Sequence, residues 1–406
     1  MSPGVPLVEL GTLGFDAGAH VILNLALRSL ESGNALAVRG AHPELAPHLT
    51  AWCRREGHRC RVVPADAEPR GVVAYLERAT TASVRSNGAV RAGRADPDIA
   101  DAIVAVPSAD WGLAARGALV EPGGPTPPFR LDRRDELWTD RAPAFYRQSA
   151  ASQWDPDGAV GWSEPVRNAP VIEAAVVQVM TFLIENEVVA LVVPARFLGQ
   201  IHPHFREIQQ QLAVIAADEA RHIDVFTRRA TLAGNDLALS TVGGRMSLQT
   251  LLDEPDFAIA SFLLSVMGEG TFISLLGFLE AHAPDPLTRR IAHLTRNDEA
   301  RHVAFAMAHL ERHATIDTAL RARLARAVDR RHRELQSTAG LNDEVFDSLV
   351  LLAAGTPEPE AIRAGWNRVQ ALQHEMREAR QGRLARLGFT TAEADTIASL
   401  HTRNFM

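Results

Sequence analysis

The sequence predicts a mainly α-helical protein, in which a helical bundle follows a small α+β domain. From residue 135 to the end of the 406-residue chain, apolar residues recur with helical periodicity and strand signals are nearly missing. Before residue 66, short apolar runs alternate with helical stretches. Clustered proline and glycine at Glu121–Pro128 cannot sustain a helix. We therefore predict an α+β domain at 1–80, a linker or arm at 81–134 and a helical domain at 135–406.

The N-terminal domain is predicted from short segments bounded by glycine, proline and polar residues. The expected elements are strands at Leu7–Leu10, Ala35–Val38 and His58–Val63, helices at Ala19–Leu30 and Pro43–Arg55, and a helical stretch near Gly71–Ala79. Alternating strands and helices of this length predict a small α+β sandwich.

The segment Trp52–His58 resembles the end of the second helix in the TusA-type sulfur-carrier family. That family carries its sulfur on a Cys-Pro-x-Pro motif at the start of its first helix. This chain has Phe15–Ala19 at that place, so the resemblance implies a docking or dimerisation module without the sulfur-carrier cysteine. Cys53 and Cys60 are too few for a disulfide framework, which favours a reducing, cytoplasmic location.

The composition excludes several classes of chemistry. The chain has no lysine, so all 42 basic residues are arginine, and Schiff-base, P-loop and protein-kinase chemistry are excluded. The net charge of -7 gives no electrostatic basis for binding nucleic acid or an anionic membrane. The most apolar stretch, Ala174–Val193, carries two glutamates in its middle, which favours a buried helix over a membrane span.

The helical domain is predicted to form an antiparallel bundle with additional helices after it. The expected helices are Val171–Leu198 with a kink at Pro194, His204–Leu232, Pro255–His282, Pro286–Ala314, Ile316–Gln336, Asn342–Ala354 and Pro357–Leu387. Their connections are short except for Ala233–Glu254, which predicts one longer crossover in the bundle.

One pentapeptide repeat carries the functional signal of the sequence. Asp-Glu-Ala-Arg-His occurs at Asp218–His222 and again, letter for letter, at Asp298–His302. Glutamate and histidine three residues apart project from one helix face and can bind one metal ion together. The pairs Glu219 with His222 and Glu299 with His302 are therefore predicted metal ligands.

Two further glutamates complete a predicted two-metal site. Glu187 precedes the first pair, and Glu269 precedes the second pair at a similar distance along the chain. Both interrupt apolar helix faces, where a carboxylate is costly unless it is protonated or bound to a cation. Glu187 shares its face with apolar residues. Glu185 lies on a more polar face. It is therefore predicted either to form an ion pair outside the core or to contact a ligand residue without binding the metal itself.

With these motifs, residues 171–314 resemble the ferritin-like di-iron carboxylate superfamily. The resemblance implies a ferritin-like four-helix bundle in which Glu187, Glu219, His222, Glu269, Glu299 and His302 bind two iron ions, with a manganese–iron pair as the alternative. It also implies that Asp218 and Asp298 each orient the histidine of the opposite motif. Carboxylate-rich sites with two imidazoles favour iron or manganese over zinc.

The branches of the superfamily differ in what surrounds the metals. The ribonucleotide reductase small subunit needs a tyrosine or a substitute beside the iron, and this chain has only Tyr75 and Tyr146, both before the bundle. Ferritins are shorter single bundles. The acyl-carrier desaturases remain possible, whereas the p-aminobenzoate N-oxygenases carry an additional histidine where this chain has Thr295.

These observations lead to one functional hypothesis and two alternatives. We expect an O2-dependent di-iron oxygenase or oxidase that hydroxylates, N-oxygenates or desaturates a small organic substrate. No flavin or ferredoxin-like motif is visible, so electrons are expected from a separate ferredoxin or reductase, and a homodimer is plausible from the long helices. The alternatives are a ferroxidase and a non-catalytic, metal-stabilised scaffold that docks a partner through the N-terminal domain.

Overall fold

The computed structural model describes residues 5–64, 71–79, 88–336 and 343–400. The chain divides into two compact units. The smaller unit comprises Met1–Ala92 and Gly117–Pro125, and the larger comprises Gly93–Arg116 and Thr126–Met406. The segment 81–134, which the sequence predicts as a linker, thus contributes residues to both units.

The smaller unit is an α+β fold with a four-stranded sheet. Its elements are β1 (Leu7–Glu9), α1 (Ala19–Arg28), β2 (Ala35–Arg39), α2 (Leu45–Glu56), β3 (Arg59–Val62) and β4 (Val72–Glu77), followed by a two-stranded ribbon of β5 (Val90–Arg91) and β6 (Leu119–Val120). The strand order is β1-β2-β4-β3, with β1 parallel to β2 and the other pairs antiparallel. Leu23, Leu36, Leu49 and Leu76 form part of its buried core.

The helical stretch predicted near Gly71–Ala79 is wrong, because this segment contains strand β4. Its residues alternate between buried and half-buried positions along Val72–Glu77, which is the two-residue period of a strand. Antiparallel pairing with β2 and β3 satisfies the backbone on both sides. The β-branched and aromatic residues of Val-Val-Ala-Tyr-Leu-Glu also favour a strand.

The larger unit is almost entirely helical. Its helices are α3 (Arg134–Leu137), α4 (Ala142–Ala151), α5 (Pro156–Ala159), α6 (Pro170–Leu198), α7 (Arg206–Thr231), α8 (Val242–Leu252), α9 (Phe257–Ser261), a π-helical segment (Phe262–Glu269), α10 (Gly270–His282), α11 (Pro286–Ile316), α12 (Leu320–Leu335), α13 (Asp343–Ala354), α14 (Pro359–Arg386) and α15 (Thr391–Ser399). The fold class predicted from the sequence, mainly α with a small α+β domain, is confirmed.

Four long helical stretches form a ferritin-like bundle. Helix α6 packs on α7, α10 packs on α11, and the segment between α7 and α9 is the long crossover, which contains α8. Such a crossover joining two helix pairs is typical of ferritin-like topology. The C-terminal helices extend the bundle, since α13 packs on α6 and α14 packs on α10.

The third bundle helix is not a continuous α-helix, although the sequence predicts one over Pro255–His282. It consists of α9, the π-helical segment and α10. A π-helical turn adds a residue to each turn and frees backbone carbonyls from their usual partners. Within this segment, the Val266 carbonyl accepts a hydrogen bond from Arg383 Nε of α14 at 2.8 Å.

The start of α11 is fixed by a buried ion-pair cluster that joins three bundle helices. Asp285 caps α11 by accepting from the Thr288 backbone N–H at 2.7 Å, and Pro286 suits the first helical position. The Arg229 guanidinium of α7 donates to Glu173 of α6 at 2.6 and 3.0 Å and to Asp285 at 2.7 Å. Because this guanidinium is fully buried, the two carboxylates supply the charge compensation that it needs.

Two stretches, Pro170–Leu198 and Phe257–His282, are long and apolar enough to cross a membrane. Of their most apolar windows, 67% and 83% respectively are buried inside the structure. Helices that are apolar on all sides are also expected in the core of a bundle, and the apolar character of both stretches is accounted for by packing against their neighbours.

Candidate metal centre

Six acidic and histidine side chains converge in the middle of the helical bundle. They are Glu187 from α6, Glu219 and His222 from α7, Glu269 from the last position of the π-helical segment, and Glu299 and His302 from α11. None of these residues is more than 4% exposed. Each of the four bundle stretches therefore contributes at least one side chain to a single buried cluster.

The cluster contains two overlapping groups of potential metal ligands. Glu187, Glu219, His222 and Glu299 form one group, and Glu219, Glu269, Glu299 and His302 form the other. Within each group the ligand atoms lie within 4.8 Å of one another. Glu219 and Glu299 belong to both groups, so their carboxylates lie between the other members of the two groups.

The two shared carboxylates face both imidazoles. One Glu219 oxygen lies 3.0 Å from His222 Nδ1, and the other lies 3.0 Å from His302 Nδ1. The Glu299 oxygens lie 3.4 Å from His222 Nδ1 and 3.5 Å from His302 Nδ1. The same nitrogen, Nδ1, is therefore directed into the cluster from both histidines.

Asp218 and Asp298 contact the outward-facing nitrogens of the histidines in a crossed pattern. His222 Nε2 lies 3.0 Å from Asp298 Oδ2, and His302 Nε2 lies 3.0 Å from Asp218 Oδ2. An ionised aspartate at this distance accepts the Nε2–H and leaves Nδ1 as the free ligand nitrogen. This is the geometry that the sequence resemblance implies for both aspartates.

The sequence analysis missed a layer of polar residues that holds these aspartates in place. Gln153 Nε2 donates to Asp218 at 2.7 Å, and Trp154 Nε1 donates to Asp298 at 2.7 Å. Arg221 binds both aspartates, and Arg301 binds Asp298. The repeated Arg of the pentapeptide could have revealed the two arginines, whereas Gln153 and Trp154 have no signal in the sequence.

The first bundle helix offers the cluster one of its two central glutamates. Glu187 is 1% exposed, and its Oε2 lies 3.7 Å from His222 Nδ1. Glu185 is half-buried and lies outside both ligand groups. Asn186, between them, was not selected from the sequence. It is buried, and its side chain lines a cavity beside Glu187 and Glu269.

Burial and the charges of the neighbouring residues shift the pKa values of the groups in the cluster. Burial, followed by the neighbouring carboxylates, raises the pKa of Glu187 and of Glu269 well above the usual range. Burial opposes the charging of His222 and His302, but the surrounding carboxylates outweigh it and raise the pKa of both. The two histidines likewise outweigh burial at Glu219 and lower the pKa of its carboxyl group.

The unsatisfied atoms of the cluster fit a metal centre. Both oxygens of Glu269 and of Glu299, and one oxygen of Glu187, are buried without a hydrogen-bond partner among the residues that the structure describes. Orphaned buried carboxylate oxygens are costly. Divalent cations would satisfy them, and four carboxylates with two imidazoles form a donor set suited to iron or manganese.

Two small cavities adjoin the cluster at Glu269. The first has a mainly apolar wall that includes Val193, Phe197 and Phe257, together with the polar residues Ser261, Ser265 and Glu269. The second is lined by Asn186, Glu187, Ala190, Leu264, Gly268, Glu269 and Phe272. Each has a volume of about 20 Å³, enough for one water-sized molecule. Both cavities thus border the cluster of six residues at Glu269.

Comparisons with known proteins leave the function to be argued from this geometry. No protein-family model matches the chain, and no curated protein matches it. One solved structure that resembles it is described as "Protein 19 with aldehyde deformylating oxidase activity" from Synechococcus, with a TM-score of 0.40 and 21% sequence identity. The similarity covers 56% of this chain and 96% of that chain. A likeness at this level does not identify the activity of the chain.

Proposed function

We propose that the protein is a non-haem di-iron oxygenase or oxidase that uses O2 to oxidise a small organic substrate. The observation that carries this proposal is the pair of overlapping ligand groups that share Glu219 and Glu299. A single structural metal needs four ligands and no bridging carboxylates. Six buried ligands with two shared carboxylates support a pair of ions held side by side.

Each residue of the cluster has a distinct task in this proposal. Glu187 and His222 would help to hold one ion and Glu269 and His302 the other, and Glu219 and Glu299 would be available to both, since they belong to both groups. Asp218 and Asp298 keep the Nε2 proton on each histidine, so that Nδ1 stays available as a ligand. Iron bound here would supply electrons and coordination positions for O2 activation, with a manganese–iron pair as the alternative.

The surroundings of the cluster support oxidation chemistry over metal storage. Exclusion of water protects reactive species from side reactions, and here the ligands are buried and the adjoining space is mainly apolar. We propose that a separate ferredoxin or reductase delivers the electrons, because the sequence carries no flavin or ferredoxin-like motif. Hydroxylation, N-oxygenation and desaturation are all compatible with this site.

The metal site is tested first by comparing two glutamates on one helix. The variants Glu187→Ala and Glu185→Ala change the same residue type on α6, but only Glu187 lies in a ligand group. We expect close to two metal ions per chain in the wild type and in Glu185→Ala, and at most one in Glu187→Ala. Metal content by plasma mass spectrometry, with helicity by circular dichroism, measures both.

The function is tested next by O2 consumption of the reduced, iron-loaded protein. Uptake that depends on an added organic substrate and on an electron donor supports the oxygenase or oxidase. Uptake with Fe(II) alone and no organic turnover would identify a ferroxidase. Metal binding without O2 uptake would identify a scaffold. Full metal content in both Glu269→Ala and His302→Ala would rule out the proposed ligand set altogether.

A further inference from the structure

Asn186 presents an unused hydrogen-bond acceptor beside the metal cluster. The residue is 6% exposed, and its Nδ2 donates to the Phe182 carbonyl at 2.6 Å. Its Oδ1 is buried and has no hydrogen-bond partner in the described parts of the chain. Rotating the amide would turn Oδ1 towards the Phe182 carbonyl, where two acceptors would repel. The side chain is therefore held with its oxygen as the free group.

This residue lines the second of the two cavities at the cluster. Leu264 and Glu269 line both cavities. A displacement of the Leu264 side chain would join the two into one pocket that ends at the metal ligands. Apart from Glu187, Glu269, Ser261 and Ser265, the residues around this combined pocket other than Asn186 are apolar.

We propose that the combined pocket binds the organic substrate, and that this substrate is a small apolar molecule with one N–H or O–H group that donates to Asn186 Oδ1. The inference rests on the proposed function and names the substrate class of that site. Ligand pockets are commonly apolar with a few polar groups that fix orientation. The apolar residues of the wall select the body of the substrate. Glu187 and Glu269 belong to the ligand groups, so the acceptor that we assign to the donor group of the substrate is Asn186 Oδ1.

The physical argument for selectivity is the cost of an unpaired buried acceptor. A ligand without a donor would leave Asn186 Oδ1 desolvated and unpaired in the closed pocket, which is unfavourable. A site built to hydrogen-bond a polar group therefore discriminates strongly against an analogue that lacks the group. Because Asn186, Glu187 and Glu269 line the same cavity, a donor bound to Asn186 would also be held close to the ligand residues.

Aniline and toluene form a matched pair of probes for this pocket. They differ in an amino group, which donates, and a methyl group, which does not. Dissociation constants would be measured by ligand-observed NMR on the zinc-loaded protein, because zinc occupies the ligand carboxylates without redox chemistry. Toluene is desolvated more easily than aniline, so the informative quantity is the ratio of the two constants in each variant, not either constant alone.

Asn186→Leu removes the acceptor and keeps the branched shape of the side chain. The control is Asn367→Leu, the same substitution at an exposed position of α14 outside both cavities. We expect Asn186→Leu to shift the ratio by roughly three- to tenfold towards toluene. Asn367→Leu should leave the ratio unchanged. Leu264→Ala should tighten the binding of both probes and preserve their ratio. An unchanged ratio in Asn186→Leu, or no binding of either probe to the wild type and Leu264→Ala, would overturn the inference.

A crystal structure of the wild-type protein with aniline gives a second test that does not depend on the folding of a variant. We expect the amino nitrogen within hydrogen-bond distance of Asn186 Oδ1. Aniline placed elsewhere would contradict the inference. The metal content of the same samples distinguishes the two proposals. Two bound metals without probe selectivity would contradict the proposed substrate class but not the di-iron proposal.

Discussion

Each ligand histidine depends on an aspartate from the opposite motif. Asp298 accepts from His222 Nε2 at 3.0 Å, and it is held by Trp154 Nε1 at 2.7 Å. These contacts make the aspartate an anion of fixed orientation. Burial opposes its ionisation, but His222 outweighs burial and lowers the pKa of Asp298. The imidazole consequently keeps its Nε2 proton, and its Nδ1 remains basic.

Asp298→Asn is expected to weaken one metal position more than the other. An amide is a weaker acceptor than a carboxylate, and loss of such a partner typically lowers metal affinity by about 10- to 100-fold. The effect should fall on the ion held by His222, whereas Asp218→Asn should affect the ion held by His302. Titration with zinc should resolve one tight and one weakened site in each variant.

Asp224→Asn is the control for this comparison, because Asp224 is exposed on the same helix as His222 and pairs with Arg228 at 3.5 Å. It should bind two ions like the wild type. Two unaltered sites in Asp298→Asn would contradict the role given to this aspartate.

At the residue scale, the sequence reveals the residues that repeat and not those that come together only through folding. The pentapeptide repeat and the two buried glutamates indicate all six cluster residues. Gln153 and Trp154 lie between α4 and α5, and their contacts with Asp218 and Asp298 arise from tertiary packing alone. Asn186 had no signal either, because an asparagine between two glutamates does not stand out on a helix.

At the scale of elements, helix boundaries were predicted best where a capping residue and the helical hydrophobic period indicated the same boundary. The predicted Pro286–Ala314 corresponds to α11, Pro286–Ile316, which Asp285 caps. The π-helical segment Phe262–Glu269 was not predicted, since its composition is that of any buried apolar helix. The strand β4 was missed because a six-residue apolar run fits either a helix or a strand until its partners are known.

The buried cluster of Arg229, Glu173 and Asp285 should stabilise the packing of three helices. Arg229→Met would leave two buried carboxylates without a cation, and breaking a buried ion pair in this way costs about 3 to 5 kcal/mol. The neighbouring Arg228 is partly exposed, with ion pairs to Asp157 and Asp224. Arg228→Met should therefore cost less than about 1 kcal/mol. Urea unfolding of the metal-free proteins measures both losses.

The stability lost in Arg229→Met should depend on pH, because Arg229 lowers the pKa of Asp285. Burial would raise the pKa of Asp285, but Arg229 outweighs burial and lowers it. The stabilisation is therefore present above the unfolded pKa of about 3.9 and is lost as the pH falls through the lower, folded pKa. The loss of stability in Arg229→Met should be larger at pH 7 than at pH 3, which lies below the unfolded pKa of Asp285. Equal losses at both pH values would show that charge compensation is not the cause.

At the scale of the whole molecule, the sequence predicts two types of region but not how the chain passes between the two units. The ribbon of β5 and β6 belongs to the smaller unit, although Gly93–Arg116 lies between its strands and belongs to the larger unit. Two-residue strands have no measurable period. The return of Gly117–Pro125 to the smaller unit could therefore not be inferred from the sequence, whereas the long helices that carry the metal ligands could.

If the cluster binds metal as proposed, the stability of the bundle should depend on metal concentration and on pH. In the metal-free protein, burial raises the pKa of Glu187 and Glu269, and carboxylates raise the pKa of His222 and His302. Metal ions need these groups deprotonated, so binding must release protons and must weaken as the pH falls. We expect zinc to bind more weakly at pH 6 than at pH 8, with more than one proton released per chain.

Calorimetric titration in two buffers of different ionisation enthalpy counts these protons. Metal that binds only the folded state should also raise the unfolding temperature, by an amount equivalent to about 4 kcal/mol when free metal is a thousand times its dissociation constant. A double variant, Glu269→Ala with His302→Ala, should show neither effect and serves as the control. Proton release near zero, with tight binding in the wild type, would mean that the buried carboxylates and imidazoles are not the groups that the metal occupies.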